Sequence, residues 1–174
     1  INPKLIQALI ATEDERFYSH SGIDLRATFR AIFLLGSEGG GSTITQQLAK
    51  NMFNNSGNKS IFKRIIEKAQ EYIIAIQLER RYTKNEIIAM YFNTVDFVNH
   101  AVGVHSAAQV YFNKKPKDLS VIESAVLVGM LKAPSAYNPV RNPNDSKRRR
   151  NVVMYQMVKN NYLSQNQYND LKEK

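Results

Sequence analysis

The sequence contains no cysteine, which excludes a disulfide framework, a thiolate metal site and a cysteine nucleophile but does not fix the compartment. It also has no apolar run of the roughly 18–20 residues that a helix needs to cross a bilayer. The longest apolar runs are AIFLL at residues 31–35 and AVLVGML at residues 125–131. No signal peptide is visible. Since the chain starts at Ile1 rather than at methionine, we expect a fragment of a longer protein, with any membrane anchor lying elsewhere.

Strand signals are scarce as well, because apolar and polar residues nowhere alternate for long. Helical spacing dominates, and 174 residues suit one domain with its own core. We therefore predict a single, mainly α-helical domain over residues 1–174, without an internal repeat. The first predicted helix has Asn2 as its N-cap and Pro3 as its first residue. Two others follow the capping residues Ser120 and Ser164. The remaining predicted helices are Leu25–Leu35, Thr43–Phe53, Ile61–Tyr82, Lys84–Phe92 and Asp145–Asn160. Loops are predicted at residues 36–41, 54–59, 99–103 and 133–144.

Positive charge is in excess, with 24 Lys+Arg against 15 Asp+Glu and a net charge of +9. Two interpretations stay open: a solvated surface, or a partner that is anionic, such as nucleic acid, lipid headgroups or a phosphorylated substrate. The basic run KRRRNVV at residues 147–153 alone would suit nucleic acid, but it lacks the interleaved aromatic residues that stack on bases. A helix face that meets acidic groups or lipid headgroups explains it equally well.

The segment GGGSTITQQLAKN at residues 39–51 predicts the start of a helix. Thr43 and Gln46 have the spacing of a capping box. At about 100° per residue, Gln47 and Lys50 join them on one side, which gives a row of polar side chains near the positive end of the helix dipole. Such a row suits an anion, although the order of residues is not that of a P-loop. A capped surface helix beside a glycine turn is the alternative.

The acidic segment ATEDERFYSHSGID at residues 11–24 offers a candidate general base. Burial of a carboxylate against apolar walls disfavours its charged form and so suits it for proton transfer, and Glu13 is our candidate. The alternative is a solvated acidic cluster. We interpret the histidines as structural, because none has ligand-like spacing with a carboxylate: His20, His100 and His105.

The long predicted helix carries alternating charges and one apolar face. Glu67 and Glu71 lie four residues apart and therefore share a face. The cations near them are Lys63, Arg64 and Lys68, and the apolar face comprises Ile65, Ala69, Ile73 and Ile76. Either this helix presents a charged face to solvent, or it supplies a second catalytic carboxylate with cations for a phosphate.

Five segments resemble, in order, the motifs of glycosyltransferase family 51. They are ATEDERFYSHSGID, GGSTITQQLAKN, the Lys/Glu helix that ends in QLERRYTK, KNEIIAMYFNTVDF, and RRNVV. The resemblance extends from Ile1 to about Met157, and GGSTITQQLAKN is its most specific part. This family comprises the peptidoglycan glycosyltransferases, which occur as N-terminal domains of class A penicillin-binding proteins and as monofunctional enzymes.

The resemblance implies a lysozyme-like helical domain with a large lobe and a smaller, membrane-facing jaw lobe that includes Leu25–Leu35. It implies an enzyme that polymerises lipid II into β-1,4-linked glycan strands, with inversion and release of polyprenyl pyrophosphate, on the outer (periplasmic or extracytoplasmic) face of a bacterial cytoplasmic membrane. The implied partners are lipid II, the polyprenyl-pyrophosphate-linked glycan, the membrane surface, a transpeptidase domain in the full-length chain and a cell-wall synthesis complex. It implies no nucleic acid and no organic cofactor, and it makes moenomycin an expected inhibitor.

The resemblance also carries residue roles. Glu13 corresponds to the general base, and a second glutamate helps to hold the departing pyrophosphate, directly or through a divalent cation, Mg²⁺ or Mn²⁺. Lys63-Arg64-x-x-Glu67 imitates the motif of this second glutamate, but counting back from LERRYTK without a gap selects Glu71, which we choose. The substrate-binding residues implied are Asp14, Ser42, Thr43, Gln46, Gln47, Lys50, Lys63, Arg64, Lys68 and Asn93.

Two departures from the family pattern accompany this assignment. Glu67 stands where the family usually has arginine, which puts the cationic role of that position in doubt. Val98 stands where the family commonly has glycine, and we expect only a loop difference there. The rival hypotheses are a lysozyme-like glycan-cleaving enzyme, which needs no pyrophosphate site, and a catalytically silent module that binds membrane or cell wall.

Overall fold

The computed structural model describes residues 1–33, 41–53 and 60–174. These residues form helices joined by turns, which confirms the predicted mainly α-helical class. The α-helices are α1 (Pro3–Glu13), α2 (Leu25–Phe33), α3 (Ile44–Phe53), α4 (Ile61–Arg81), α5 (Lys84–Thr94), α6 (Gly103–Phe112), α7 (Val121–Leu131), α8 (Pro143–Lys159) and α9 (Gln165–Lys172). Short 3-10 turns lie at Phe17–Ser19 and Pro116–Asp118. In the described ranges, β-type pairing is limited to one isolated antiparallel bridge between Asp96 and Val102.

Two predicted capping residues form the caps expected of them, whereas α6, whose start carries no capping residue, was missed. Ser120 and Ser164 each form a complete capping box, at the starts of α7 and α9. α6 was not predicted, because its N-cap residue is Val102 and no side chain caps its first turn. α8 begins two residues before the predicted start. The predicted helix end at residues 34–35 and the predicted loops at 36–40 and 54–59 lie outside the described residues.

Val98 begins a turn of three consecutive left-handed residues. The φ angles of Val98, Asn99 and His100 are +56°, +50° and +61°. The turn is closed by the backbone N–H of Phe97, which donates to the carbonyl of Ala101 at 2.9 Å. Glycine adopts this conformation at no steric cost, whereas a β-branched residue carries strain of about 1–3 kcal/mol. Val98 therefore places a β-branched side chain in a backbone conformation that favours glycine, and the loop difference expected there stays a prediction.

The described chain divides into two compact units. Residues 1–15 and 95–174 form the first unit, and residues 16–94 form the second unit. In the first unit α7 and α8 pack on each other and on α1, while α9 packs on α8. Its fully buried core residues include Leu5, Leu9, Phe97, Leu127, Met130, Val153 and Met157. Our expectation of a single domain stays a prediction.

The basic run in α8 is used largely inside the first unit. Arg150 is 5% exposed and donates to a backbone carbonyl at the end of α9. Arg148 pairs with Asp145, and Arg149 approaches Glu13. Two guanidinium groups of the run thus meet carboxylates of the chain itself. The choice among acidic groups, lipid headgroups and nucleic acid as partners of this face stays a prediction.

In the second unit, α3 packs against α4 and α5. The buried side of α4 lies opposite its exposed isoleucines. The buried residues of α4 are Glu71, Ala75 and Leu78. The apolar face noted in the sequence is instead open to solvent, since Ile65 is 63% and Ile73 57% exposed. Helical periodicity identified these apolar residues as one face of α4, but it did not show whether that face is buried or exposed. None of the described helices is both long and apolar enough to span a bilayer.

The loop from residue 16 to residue 24 is held tightly against the helices of the second unit. Gly22 has φ +93°, and a Cβ atom there would lie 2.8 Å from the carbonyl oxygen of Ala75. The Thr43 hydroxyl donates to the Gly22 carbonyl at 2.7 Å, and the Lys84 ammonium donates to the His20 carbonyl at 2.6 Å. Position 22 therefore requires glycine, both for its left-handed backbone conformation and for its close approach to α4.

We predict that Gly22→Ala lowers the free energy of unfolding by about 2–4 kcal/mol, because it combines left-handed strain with a clash against α4. Urea unfolding followed by circular dichroism measures this change. The matched control is Ser21→Ala, at an exposed neighbouring position. Equal stability of the two variants would contradict the close contact with Ala75.

Candidate active site

The glycine-rich segment ends in the capping box that the sequence predicted. The backbone N–H of Gln46 donates to the Thr43 hydroxyl at 3.1 Å, and the backbone N–H of Thr43 donates to Oε1 of Gln46 at 3.1 Å. Both side chains are buried, at 2% and 0% exposure. The Gln46 amide nitrogen Nε2 is buried without a hydrogen-bond partner among the described residues. The Oε1 atom of Gln46 therefore fixes the first turn of α3. Its unpartnered Nε2 donor lowers the free energy of unfolding by about 1–3 kcal/mol.

The rest of the predicted polar row divides between the interior and solvent. Gln47 is half-buried, and its Oε1 accepts a hydrogen bond from the Tyr91 hydroxyl at 2.9 Å. Lys50, in the last turn of α3, is exposed. Tyr91 was missed in the sequence, because a tyrosine in a helical apolar pattern indicates core packing rather than a site. Of this row, Lys50 presents a charge to solvent.

A second cluster joins the residue before the capping box to α4. The Lys68 ammonium donates to the Ser42 hydroxyl at 2.8 Å and to Oε2 of Glu71 at 2.8 Å. The Glu71 side chain is 10% exposed, and that of Lys68 is 38% exposed. Three predicted site residues thus meet in the second unit. Glu71, rather than the half-buried Glu67, is the acidic residue of this cluster.

The remaining predicted residues of the second unit are more open. Lys63 and Arg64 are exposed in the first turn of α4, and Asn93 is exposed near the end of α5. Their assignment to substrate binding stays a prediction. In the described ranges, no three His, Asp or Glu side chains are grouped as metal ligands. Because Glu71 also holds the Lys68 ammonium, the residues present do not fit a metal bound by the protein alone.

A partly buried ion pair that the sequence did not reveal holds α3 in place. Oε1 of Glu79 accepts from the Thr45 hydroxyl at 2.6 Å and from the Lys84 ammonium at 2.8 Å. The ammonium also lies 4.3 Å from the centre of the Phe17 ring. These contacts connect α3, α4, α5 and the residue 16–24 loop. The signal in the sequence was weak, because Glu79 and Lys84 look like ordinary surface charges of helix ends.

Glu13 lies in the first unit as the last residue of α1, and its side chain is 17% exposed. The negative end of the helix dipole disfavours a carboxylate there. A terminal nitrogen of the Arg149 guanidinium lies 3.9 Å from Oε1 of Glu13 and offsets this effect. The Arg149 guanidinium also lies 5.9 Å from the centre of the Tyr137 ring, and its side chain is 13% exposed. Asp14, the C-cap of α1, is buried beside Glu13.

Arg149 lies beside Glu13, although the sequence analysis assigned it no role. It stands in the family segment RRNVV, but the KRRR run holds four cations, and packing shows which of them approaches Glu13. Gly129 of α7 makes room for Arg149, because a Cβ at that position would lie 3.1 Å from the Arg149 Cγ. A glycine on the facing helix is the one signal that pointed to this residue, and it is readable only when the pairing of α7 with α8 is known.

The transglycosylase family model matches residues 1–158 of the chain. This match covers nearly all of the elements described above, including both clusters and Glu13. The chain belongs to the transglycosylase family, and the resemblance to glycosyltransferase family 51 is confirmed.

Similar proteins are penicillin-binding proteins from several bacteria. Penicillin-binding protein 1F of Bacillus subtilis is 45% identical over 167 residues, which cover 93% of this chain and 23% of that protein. Penicillin-binding protein 1A of Pseudomonas aeruginosa is 43% identical over 167 residues, covering 94% and 20%. Penicillin-binding protein 1A of Escherichia coli is 41% identical over 172 residues, covering 97% and 20%. The chain thus spans about a fifth of the length of these relatives.

We predict that Thr43→Val lowers the free energy of unfolding by about 2 kcal/mol, because the hydroxyl both caps α3 and donates to the Gly22 carbonyl. Thr43→Ser keeps the hydroxyl and is expected to lose less than half as much. Urea unfolding of the three proteins measures the difference. A larger loss in Thr43→Ser than in Thr43→Val would mean that the methyl group, not the hydroxyl, stabilises this turn.

Proposed function

We propose that the chain is a peptidoglycan glycosyltransferase domain that polymerises lipid II into β-1,4-linked glycan strands. The observation that carries this proposal is the Ser42–Lys68–Glu71 cluster beside the capped start of α3, in a chain of the transglycosylase family. A glycan-cleaving enzyme has no pyrophosphate to hold and leaves this cluster unexplained. A silent binding module leaves the half-buried Glu13 and its guanidinium neighbour unexplained.

In the proposed reaction the leaving group is a polyprenyl pyrophosphate, whose charge grows as its bond to the anomeric carbon breaks. An ammonium held in place stabilises such charge without reorganising during the reaction. Lys68 meets this requirement, because Ser42 and Glu71 fix its position. Lys50 supplies a second, exposed cation on α3. Glu71 then acts by orienting Lys68 towards the pyrophosphate.

Glu13 is the proposed general base. The 4-hydroxyl of the acceptor sugar attacks the anomeric carbon of the donor, and its proton passes to the Glu13 carboxylate. The new bond forms on the face opposite the departing pyrophosphate, so the configuration inverts. Arg149 is a proposed positioning residue that keeps the Glu13 carboxylate at a defined place at the end of α1.

The divalent cation implied by the resemblance remains a proposal, and no step above uses it. Mg²⁺ is commonly bound by one or two carboxylates together with substrate phosphates rather than by a protein cage. Glu71 would be the carboxylate available for such binding. Polymerisation with and without Mg²⁺ tests this point directly.

The proposed setting is the outer face of a bacterial cytoplasmic membrane. The second unit exposes large apolar side chains on three helices. They are Leu25 and Phe29 on α2, Met52 and Phe53 on α3, and Ile61, Phe62, Ile65, Ile66 and Ile73 on α4. This surface suits contact with the bilayer that carries the lipid-linked substrate. The length of the relatives makes a further domain, such as a transpeptidase, part of the proposal for the full-length protein.

We predict that Glu13→Gln lowers the rate of lipid II polymerisation by at least about 100-fold, because it removes the proton acceptor. Labelled lipid II in detergent, with products separated on a gel, measures the rate. Glu15→Gln is the matched control on an exposed neighbour and should stay active. A folded Glu13→Gln protein with near-normal activity would remove Glu13 from the role of base.

We predict that Glu71→Gln lowers the same rate by about tenfold or more, because Lys68 loses the carboxylate that orients it. Glu67→Gln should remain close to wild type, since Glu67 lies outside the Ser42–Lys68–Glu71 cluster. The gel assay compares the two variants after circular dichroism has confirmed that both are folded. Inactivity of Glu67→Gln alone would reverse the assignment of the second glutamate.

A further inference from the structure

The second unit contains an open cavity of about 580 Å³ at the start of α2. Its position is set by the residue 16–24 loop and the first turn of that helix. The lining residues are Arg16, Ser19, His20, Ser21, Ile23, Asp24, Leu25 and Arg26. None of them belongs to the catalytic or substrate-binding residues assigned above, so the cavity has no role in the proposed reaction.

The walls of this cavity are fixed before any ligand arrives. Gly22 is pressed against the backbone of α4, and Lys84 holds the His20 carbonyl. The Arg16 guanidinium donates from Nε to Oδ2 of Asp24 at 2.9 Å and makes a second bond to Oδ1. Arg16 is therefore held in a two-bond geometry by a carboxylate that is itself 7% exposed. A preformed site loses less conformational freedom on binding.

The lining is suited to an anion. Burial raises the pKa of Asp24, but the Ala27 backbone N–H and the Arg16 guanidinium outweigh this effect and hold the pKa below its usual range. Asp24 thus stays ionised and balances Arg16, which leaves Arg26 as the excess positive charge of the lining. Guanidinium groups and hydroxyls, here joined by Ser19 and Ser21, are the donors that phosphate oxygens prefer.

Apolar side chains beside the cavity indicate what carries the anion. Leu25, which lines the cavity, is 64% exposed, and Phe29, one turn further along α2, is 58% exposed. A soluble anion offers nothing for these side chains. A phospholipid offers a phosphate for the cavity and acyl chains for Leu25 and Phe29, and a helix with charged and apolar sides commonly lies at that boundary.

We propose that this cavity binds the phosphate of an anionic phospholipid headgroup, with Arg26, Arg16 and the two serine hydroxyls as donors. Leu25 and Phe29 enter the acyl region beside it. The inference rests on the part of the proposed function that places the second unit at a membrane surface. It adds a lipid-binding site lined by residues other than those assigned to lipid II.

The test is flotation of the protein with vesicles that contain no substrate. The neutral vesicles consist of phosphatidylcholine, and the anionic vesicles contain in addition about 30 mol% phosphatidylglycerol. Both sets are measured at about 0.15 M salt. Arg26→Gln should reduce partition onto the anionic vesicles by about fivefold and leave partition onto the neutral vesicles unchanged. Arg141→Gln, at an exposed position of the first unit, makes the same change in net charge and should have a smaller effect.

A charge-neutral variant separates a pocket from diffuse attraction. Ser21→Ala removes a hydroxyl and no charge, so a phosphate site predicts weaker partition onto anionic vesicles, by about twofold or more. Diffuse electrostatics predicts no change for Ser21→Ala and equal losses for Arg26→Gln and Arg141→Gln. That second pattern overturns the proposal. Thermal melts of each variant show whether the fold is retained.

A second experiment tests inorganic phosphate, the free anion, in place of vesicles. Titration followed by NMR of wild type and Arg26→Gln detects a site for the free anion. Phosphate binding that depends on Arg26, without any Arg26-dependent preference for anionic vesicles, overturns the lipid assignment. These assays contain no lipid II, so their failure leaves the glycosyltransferase proposal intact, whereas an inactive wild type in the gel assay leaves the headgroup site intact.

Discussion

The Lys84 ammonium is the point on which the order of the second unit depends. It bonds the Glu79 carboxylate and the His20 carbonyl and lies over the Phe17 ring. Through Glu79 it also fixes Thr45 on α3. Removing a charge from water is costly, and only well-placed partners offset that cost. One cation therefore couples the loop before α2 to α4 and, through Glu79, to α3, the helix that begins with the capping box.

α4 shows how a functional helix departs from the usual amphipathic order. Its buried side carries Glu71 together with small or medium apolar residues, and its open side carries Ile61, Ile65 and Ile73. A carboxylate on the inner side is tolerable because Lys68 accompanies it and Ser42 satisfies the ammonium in turn. The exposed isoleucines suit the proposed membrane setting, because apolar surface is unfavourable in water. Each side thus matches a different environment.

Much of the fold was predictable from the sequence, because local signals are strong where side chains cap helices. The capping boxes at Thr43, Ser120 and Ser164 all form. α6 was not predicted, since its start carries no capping residue, and the buried side of α4 was not predicted, because periodicity alone cannot tell a buried apolar face from an exposed one. In the candidate site, the pairing of Lys68 with Glu71 follows from spacing on one helix. The contacts of Arg149 and of Glu79 depend on tertiary packing, which no local pattern encodes.

The exposed apolar side of α4 bears on how far the Lys68 ammonium would lie from a bilayer. A helix with its side chains is about 10–12 Å across. If the open side of α4 rests on lipid, the Lys68 ammonium lies no more than about one helix diameter above the hydrocarbon boundary. A pyrophosphate joined directly to a polyprenyl chain emerges from the bilayer at that level. α4 would then hold the Ser42–Lys68–Glu71 cluster at the height at which a lipid-linked substrate presents its charge, and the lipid would not have to leave the membrane.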